Sequence, residues 1–396
     1  MAMLSDAPTT LVPPANETAV PARRASGHWP LHLAAALALA VLCGGFALSQ
    51  LGAQGHAAFN TTNKGVFWGF PIVVYDYFLL TSTGLAMVAG LYHVLGIEAF
   101  RPVARRALWL ALAGLVGGVA VLFLELGNPW IAPFAILGNL QVQSPLFWKV
   151  LLVLGFTISL LVTLAGTIGR RNDRRNPLVI LVAGFAMAVT LVAGSVYGMM
   201  AMRPMWFGGA VPVTFLIEAL VGALAFVMFF SHLAHGFDAS RMSAELKSLF
   251  TGPLAFLFTA LIALHLIFMV GRAATGLWSN AEGLQVWQHL AASPLFHLAI
   301  WGGAVIPLAL MLWPVTRANP LAQVGAGLLV MNGLLISRYE FIIGGQLAPL
   351  FKGSWVPGLI DYVPSATELA LLGLAVGLSN AIYAFAAWKL GGEDRA

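Results

Sequence analysis

Two carboxylates lie in strongly apolar surroundings in the first third of this chain. Asp76 sits in the run that begins at Trp68, and Glu125 opens the turn Glu125-Leu126-Gly127-Asn128-Pro129-Trp130. Charge inside a segment fit for a membrane is expensive to keep, so an acid there marks function by default. Both acids fall in the same half of two sequential antiparallel segments, so they can face one pocket. Carboxylates that share a low-dielectric site hold protons more readily than one alone. Such a pair suits proton uptake or release beside a redox ligand. The structural alternative is that a base such as Lys64 or Arg203 neutralises each acid and fixes helix packing.

A second constellation repeats the first. Asp76 precedes His93 by 17 residues, and Glu218 precedes His235 by the same 17, with Pro71 and Pro212 just before the acids. Asp76, His93, Glu218 and His235 could form part of a proton route, with Ser82, Thr83 and Tyr92 as intermediate groups. Histidines at helix ends also sit at the interface and complement the helix C-terminus, as His232 would. His265, near the middle of its segment, reads as a hydrogen-bonded core histidine, because a haem would need a second histidine at similar depth. Met199, Met200, Met202 and Met205 read as gap-filling or as one wall of an apolar pocket, and no metal site is expected from them.

The elements that must position these groups follow from composition. Of 396 residues, 60% are hydrophobic and 9% charged, with a mean hydropathy of +0.88. A soluble domain carries about a quarter charged residues. A spanning helix needs about 20 apolar residues, and ten segments qualify: roughly 31–51, 67–96, 103–126, 145–169, 177–200, 211–236, 250–277, 293–316, 319–343 and 365–390. They are too long and unalternating for barrel strands. The expected fold is an all-α polytopic membrane protein. Residues 1–28 read as a polar tail, and the single cysteine, Cys43, excludes an internal disulfide and cysteine-ligated clusters. Most of the 20 Lys and Arg fall in loops on the side of the N-terminus, which by the positive-inside rule places both termini in the cytoplasm. The net charge of +5 suggests contact with anionic lipid rather than nucleic acid.

The segments also repeat. Ser144-Pro145-Leu146-Phe147-Trp148 opens the fourth and Ser293-Pro294-Leu295-Phe296-His297 the eighth. Asn176-Pro177-Leu178 opens the fifth and Asn319-Pro320-Leu321 the ninth, with Tyr197 and Tyr339 at their far ends. Helices two to five (66–200) and six to nine (205–345) are therefore expected to form two tandem four-helix bundles related by an axis along the membrane normal, flanked by helices one and ten. The copies differ where chemistry would sit: Arg272 stands near the end of helix seven, where helix three has Glu125. An outer loop, 346–364, precedes the last helix, 365–390. With the end of helix nine it supplies a candidate docking surface of Arg338, Glu340, Lys352, Trp355 and Asp361; a re-entrant segment is the alternative.

As a set, Trp68-Gly69-Phe70-Pro71-Ile72, Arg101-Pro102-Val103-Ala104-Arg105-Arg106, the Glu125 to Trp130 turn, Ser144 to Trp148 and Arg338-Tyr339 with Tyr362-Val363-Pro364-Ser365 and Glu368 resemble the NrfD/PsrC family, in its ten-helix HybB/DsrP-like branch. The resemblance implies a subunit of the bacterial cytoplasmic membrane that binds ubiquinone or menaquinone and carries no haem or iron–sulfur cluster of its own. It implies electron exchange with a ferredoxin-like iron–sulfur subunit on the outer face, and through it with a molybdopterin or other catalytic subunit or a multihaem cytochrome. Carried over by position, the quinone pocket would comprise Trp68, Asp76, Tyr77, Glu125 and Tyr197, with Asp76 and Glu125 catalytic. The family's Asp-Leu-Gly-Arg-Pro pattern is altered here, Glu125 replacing the Asp and Asn128 the Arg, which removes the salt bridge that Arg would make. A secondary transporter with rocking bundles and a haem-bearing cytochrome b-type subunit are the alternative classes.

Overall fold

The computed structural model describes residues 28–61, 65–131, 134, 138–168, 175–278, 284–349 and 358–390. Within them no strand occurs, and ten helices are long and apolar enough to cross a membrane. These are α1 (Trp29–Gln54), α2 (Phe70–His93), α3 (Arg101–Glu125), α4 (Pro145–Ala165), α5 (Val179–Gly198), α6 (Ala210–Ala234), α7 (Pro253–Trp278), α8 (Pro294–Leu312), α9 (Pro320–Leu347) and α10 (Ala366–Phe385). Every expected span has its helix. The expected tail, 1–28, lies outside the described residues apart from His28.

Local sequence sets the boundaries. Proline occupies the first turn of α1, α2, α3, α4 and α9, where its missing N–H leaves no bond unmade and its fixed φ suits a helix. Asn319 caps α9 through Leu321 N, and α10 opens with a capping box in which Ser365 and Glu368 satisfy each other's backbone N–H.

The packing repeats. In the first half α2 packs on α3 and α5, α4 on α5, and α3 touches α4; in the second α6 packs on α7 and α9, α8 on α9, and α7 touches α8. The halves meet through α2 against α6, with α5 on α6 and α9 on α2 as the matching outer contacts. Helix α10 packs on α1 and α3. The α2–α6 crossing is close enough that a Cβ at Gly84 would collide with the Ala219 carbonyl, so only glycine fits. The halves are not identical: Leu298–Val305 of α8 is a π-helical turn, and Gly303 there lies against Gly333 of α9.

Burial grades the helices by place. In its most apolar stretch α2 is 94% buried, while α1 and α4 are 22% buried. The outward residues of the peripheral helices are large and apolar, among them Leu42, Ile158 and Phe256. They suit hydrocarbon, and exposed Trp130, Trp278, Trp313 and Trp388 near helix ends suit the headgroup level. The face on which α2 begins and α3 ends is termed the pocket face. The opposite one, which holds Arg175, Arg241 and Arg317, is the basic face.

Candidate functional site

At the pocket face a cavity of about 670 Å³ opens between α2, α3, α4 and α5. Its walls include Trp68, Ile72 and Tyr75 from the entry to α2, Leu122 and Glu125 from α3, Phe147 and Lys149 from α4, and Val196 and Tyr197 from α5. Exposed Phe67, Leu126 and Leu146 edge its mouth. The volume falls within the roughly 300–1,000 Å³ of small-molecule sites.

Behind that wall lies Asp76, fully buried. Lys149 Nζ donates to its Oδ1 at 2.9 Å, and the Tyr197 hydroxyl donates to its Oδ2 at 2.5 Å. The Lys149 ammonium also lies 4.8 Å from the centre of the Tyr75 ring. A lysine has three N–H donors, so with one committed to Asp76 it can present another to the cavity. Removing one partner of such a buried pair strands the other charge, at a cost of roughly 3–5 kcal/mol.

The expected pairing of Asp76 with Glu125 is therefore corrected. The two acids belong to one site, but Asp76 spends both oxygens on Lys149 and Tyr197, while Glu125, half-buried at the end of α3, stands at the cavity wall. The base that neutralises Asp76 is neither of those expected. Lys64 lies outside the described residues, and Arg203 donates to the backbone carbonyls of Gln346, Ala348 and Gly65, pinning the end of α9 to the entry of α2. Tyr77, expected in the pocket, is instead buried against Phe78 and Phe226 and does not line the cavity. Tyr75, its neighbour on the other side of Asp76, takes that place. The methionines at the end of α5 do not line the cavity either.

Aromatic packing fixes the back of the site. Trp68 stacks on Trp206 with ring centres 5.5 Å apart and meets Tyr197 edge-on at 5.4 Å. The Trp206 indole lies over Gly345, where any side chain would collide, and donates to the Phe341 carbonyl at 2.7 Å. Gln346 clamps the Trp68 backbone from both sides, accepting from its N–H at 2.9 Å and donating to its carbonyl at 2.8 Å.

A second polar centre occupies the other half. Arg338 of α9 forms an ion pair with Glu218 of α6, and His265 Nδ1 of α7 stands 3.9 Å from the other Glu218 oxygen. Arg338 lies 3.9 Å from the centre of the Phe215 ring. Arg272 donates to the Met205 carbonyl at 3.1 Å and rests on the Phe341 ring at 4.9 Å. Tyr197, Phe215 and Phe341 touch one another and so join the two centres. His265 thus belongs to an ion-pair centre.

Two expected docking residues are corrected as well. Arg338 is 3% exposed on Glu218, and Glu340 is 6% exposed, so neither side chain can meet a partner. Of the remaining three, Asp361 is exposed, and Lys352 and Trp355 lie outside the described residues. The four expected proton-path residues each have partners of their own, Asp76 in Lys149 and Tyr197 and Glu218 in Arg338. His93, at the basic face, accepts from the Asn176 N–H at 3.1 Å, and His235 Nδ1 pairs with the Ser231 carbonyl at 2.8 Å. Midway, Thr190 donates to Thr83 at 2.8 Å. At 1.5 Å per residue, the 17 positions from Asp76 to His93 span about 25 Å.

The fold and the site together define a helical membrane protein with an open cavity near one face, backed by a buried ion pair. The chain belongs to the family described as polysulphide reductase, NrfD, whose family model matches residues 59–349. Among similar proteins, a selenate reductase subunit of Mesobacillus selenatarsenatis is 26% identical over 367 residues, covering 78% of this chain and 83% of that one. A putative dimethyl sulfoxide reductase membrane subunit of Halobacterium salinarum is 24% identical, over 80% of this chain and 81% of its own. The Hdr-like menaquinol oxidoreductase integral membrane subunit of Archaeoglobus fulgidus is 20% identical, over 80% and 82%. The chain is accordingly an integral membrane subunit of a redox complex.

Proposed function

We propose that the pocket-face cavity is a quinone/quinol site, through which this subunit exchanges electrons between the membrane quinone pool and an iron–sulfur subunit docked on the same face. The observation that carries this is the placement of Lys149 and Tyr197, both bound to buried Asp76, in the wall of an otherwise aromatic and apolar cavity that also holds Glu125. Trp68, Tyr75, Phe147 and Tyr197 offer flat surfaces to a ring, and Lys149 offers a charged donor to a ring oxygen. The relative named as a menaquinol oxidoreductase subunit supports the same class of ligand.

Bound there, a quinone supplies reversible two-electron, two-proton chemistry. The chain's own residues position it and handle its protons. Asp76 holds Lys149 aimed, and its bond to the Tyr197 hydroxyl fixes that ring edge-on to Trp68. Lys149 hydrogen-bonds one ring oxygen, and Glu125 accepts or returns a proton at the rim. The apolar wall of Ile72, Leu122 and Val196 keeps bulk water from the ring. The iron–sulfur partner is proposed as ferredoxin-like, with a molybdopterin or multihaem protein beyond it. The outer-face placement follows the charge pattern of the loops, and the bacterial cytoplasmic membrane follows the resemblance to the family.

The test uses membranes holding the assembled complex, a short-chain quinol and an artificial electron acceptor. Lys149→Met is expected to lower quinol turnover by about 100-fold, in the range lost when one positioned hydrogen-bond donor to a developing charge is removed. The double variant Lys149→Met with Asp76→Asn, which leaves no stranded charge, is expected to assemble normally and remain slow. Wild-type turnover in that double variant overturns the proposal.

A further inference from the structure

The turn Gly55–Ala58, between α1 and α2, brings His56 against the end of α3. Its Nε2 lies 2.6 Å from the backbone carbonyl of Glu125. A carbonyl only accepts, so Nε2 carries the hydrogen, and in the neutral ring Nδ1 keeps its lone pair. The ring is held edge-on to Phe59 at 5.4 Å and lies over the turn at Gly127, yet the residue itself is exposed to solvent. The carboxyl on the same residue, Glu125, lines the cavity. One residue thus faces the cavity with its side chain and binds a solvent-facing imidazole with its backbone.

We propose that Glu125 and His56 form the proton port of the cavity, with His56 the acceptor that links it to bulk water. This rests on the quinone reading of the cavity. In the oxidising direction Glu125 takes a proton as a ring O–H bond breaks and a carboxyl O–H forms. The electrons leave one at a time to the iron–sulfur partner. Glu125 then passes the proton, through water at the mouth, to His56 Nδ1, forming an imidazolium that loses it to bulk water, and the cycle repeats for the second proton. In the reducing direction each step reverses.

The charged groups around Glu125 leave this route as the open one. Glu368, at the start of α10, interacts with Glu125 electrostatically, but its oxygens are taken by the Asn60 and Ser365 N–H groups and the Tyr362 hydroxyl. Lys149, across the cavity, is bound to Asp76. The residues at the entry to α4 that face the mouth, Ser144, Leu146 and Phe147, carry no charge. His56 is the titratable group that meets both Glu125 and solvent.

The experiment uses the assembled complex in membranes, with binding of a hydroxyquinoline N-oxide quinol analogue and quinol turnover measured from pH 5 to 8. His56→Gln keeps an N–H for the Glu125 carbonyl but cannot carry a proton. It is expected to bind the analogue as the wild type does while turnover falls about tenfold, less than the roughly 10²–10⁴-fold worth of a direct general base because water still reaches the mouth. In His56→Ala, added imidazole is expected to restore the rate, and in Glu125→Gln it is not. A wild-type rate in His56→Gln, or no rescue of His56→Ala by imidazole, overturns the port. Absence of analogue binding to the wild type overturns instead the quinone reading on which it rests.

Discussion

Single side chains in this protein are tied to the backbone of distant segments. Tyr362 shows this outside the spans: its hydroxyl donates to Glu368 at 2.5 Å and accepts the Phe70 N–H at 2.7 Å. Burial first, then the Glu368 charge, pushes its phenol well above the usual tyrosine range. The proton is thus kept in the fold at pH values where the unfolded chain loses it. The stability it contributes is complete below about pH 10 and declines as pH rises beyond that. Tyr362→Phe leaves Glu368 and the Phe70 N–H short of a partner and is expected to cost about 1–3 kcal/mol. In thermal melts of the detergent-solubilised protein this would appear as a lower Tm near neutral pH and a shallower fall above pH 10. An unchanged melting profile would remove Tyr362 from the clamp.

Residues also show what could be read ahead of the structure. Asp76, Trp68, Glu125 and Tyr197 converge on one site because aromatic and acidic side chains near the same end of neighbouring spans have few places to go. Lys149 escaped because it reads as a loop-side charge, although it lies a full turn inside α4 at a depth matching Asp76. Tyr75 and Tyr77 flank Asp76 at about 100° to either side of a helix. Which of the two faces α4 depends on how α2 is rotated in the bundle, and local sequence does not encode that rotation. Arg338 and Glu340 read as part of a loop surface because hydropathy weakens there, yet α9 continues to Leu347 and buries both.

At the scale of elements, α2 is the axis of the molecule. It packs on α3, α5, α6, α9 and α10, and its polar hydroxyls are absorbed locally: Ser82 donates to the Ala111 carbonyl of α3 at 2.6 Å, Thr81 to the Tyr77 carbonyl at 2.9 Å. The contact that sets its distance from the second half is at Gly84, beside the Ala219 carbonyl. Gly84→Val is expected to abolish assembly, since backbone cannot yield as a flexible side chain can, whereas Gly45→Ala on α1, with open space around it, is expected to be silent. Size-exclusion profiles of fluorescently tagged variants distinguish these outcomes. A monodisperse, full-yield Gly84→Val would show that the two halves are not locked through this crossing.

The whole molecule is two similar helical halves with unequal equipment. The first holds the open cavity, and the second holds a closed centre and a π-helical turn. The repeat was legible from matched openings such as Ser144-Pro145 and Ser293-Pro294. The charge pattern further requires the pocket face and the basic face to lie on opposite sides of the membrane. With Cys43 replaced by alanine, Asp361→Cys is expected to react with an impermeant thiol reagent on intact cells, and Asp238→Cys only after permeabilisation. The reverse labelling would invert the assigned orientation.

The two buried ion pairs differ in one further respect. An ammonium can surrender its proton to a neighbouring carboxylate, leaving two neutral groups, whereas a guanidinium stays charged under any condition met in a protein. The Asp76–Lys149 pair, 2.9 Å from nitrogen to oxygen, can therefore be erased by one proton transfer along its hydrogen bond, and the Glu218–Arg338 pair cannot. Beside the cavity the local field is adjustable. Across the aromatic bridge of Tyr197, Phe215 and Phe341 stands a permanent dipole that gives it a fixed reference.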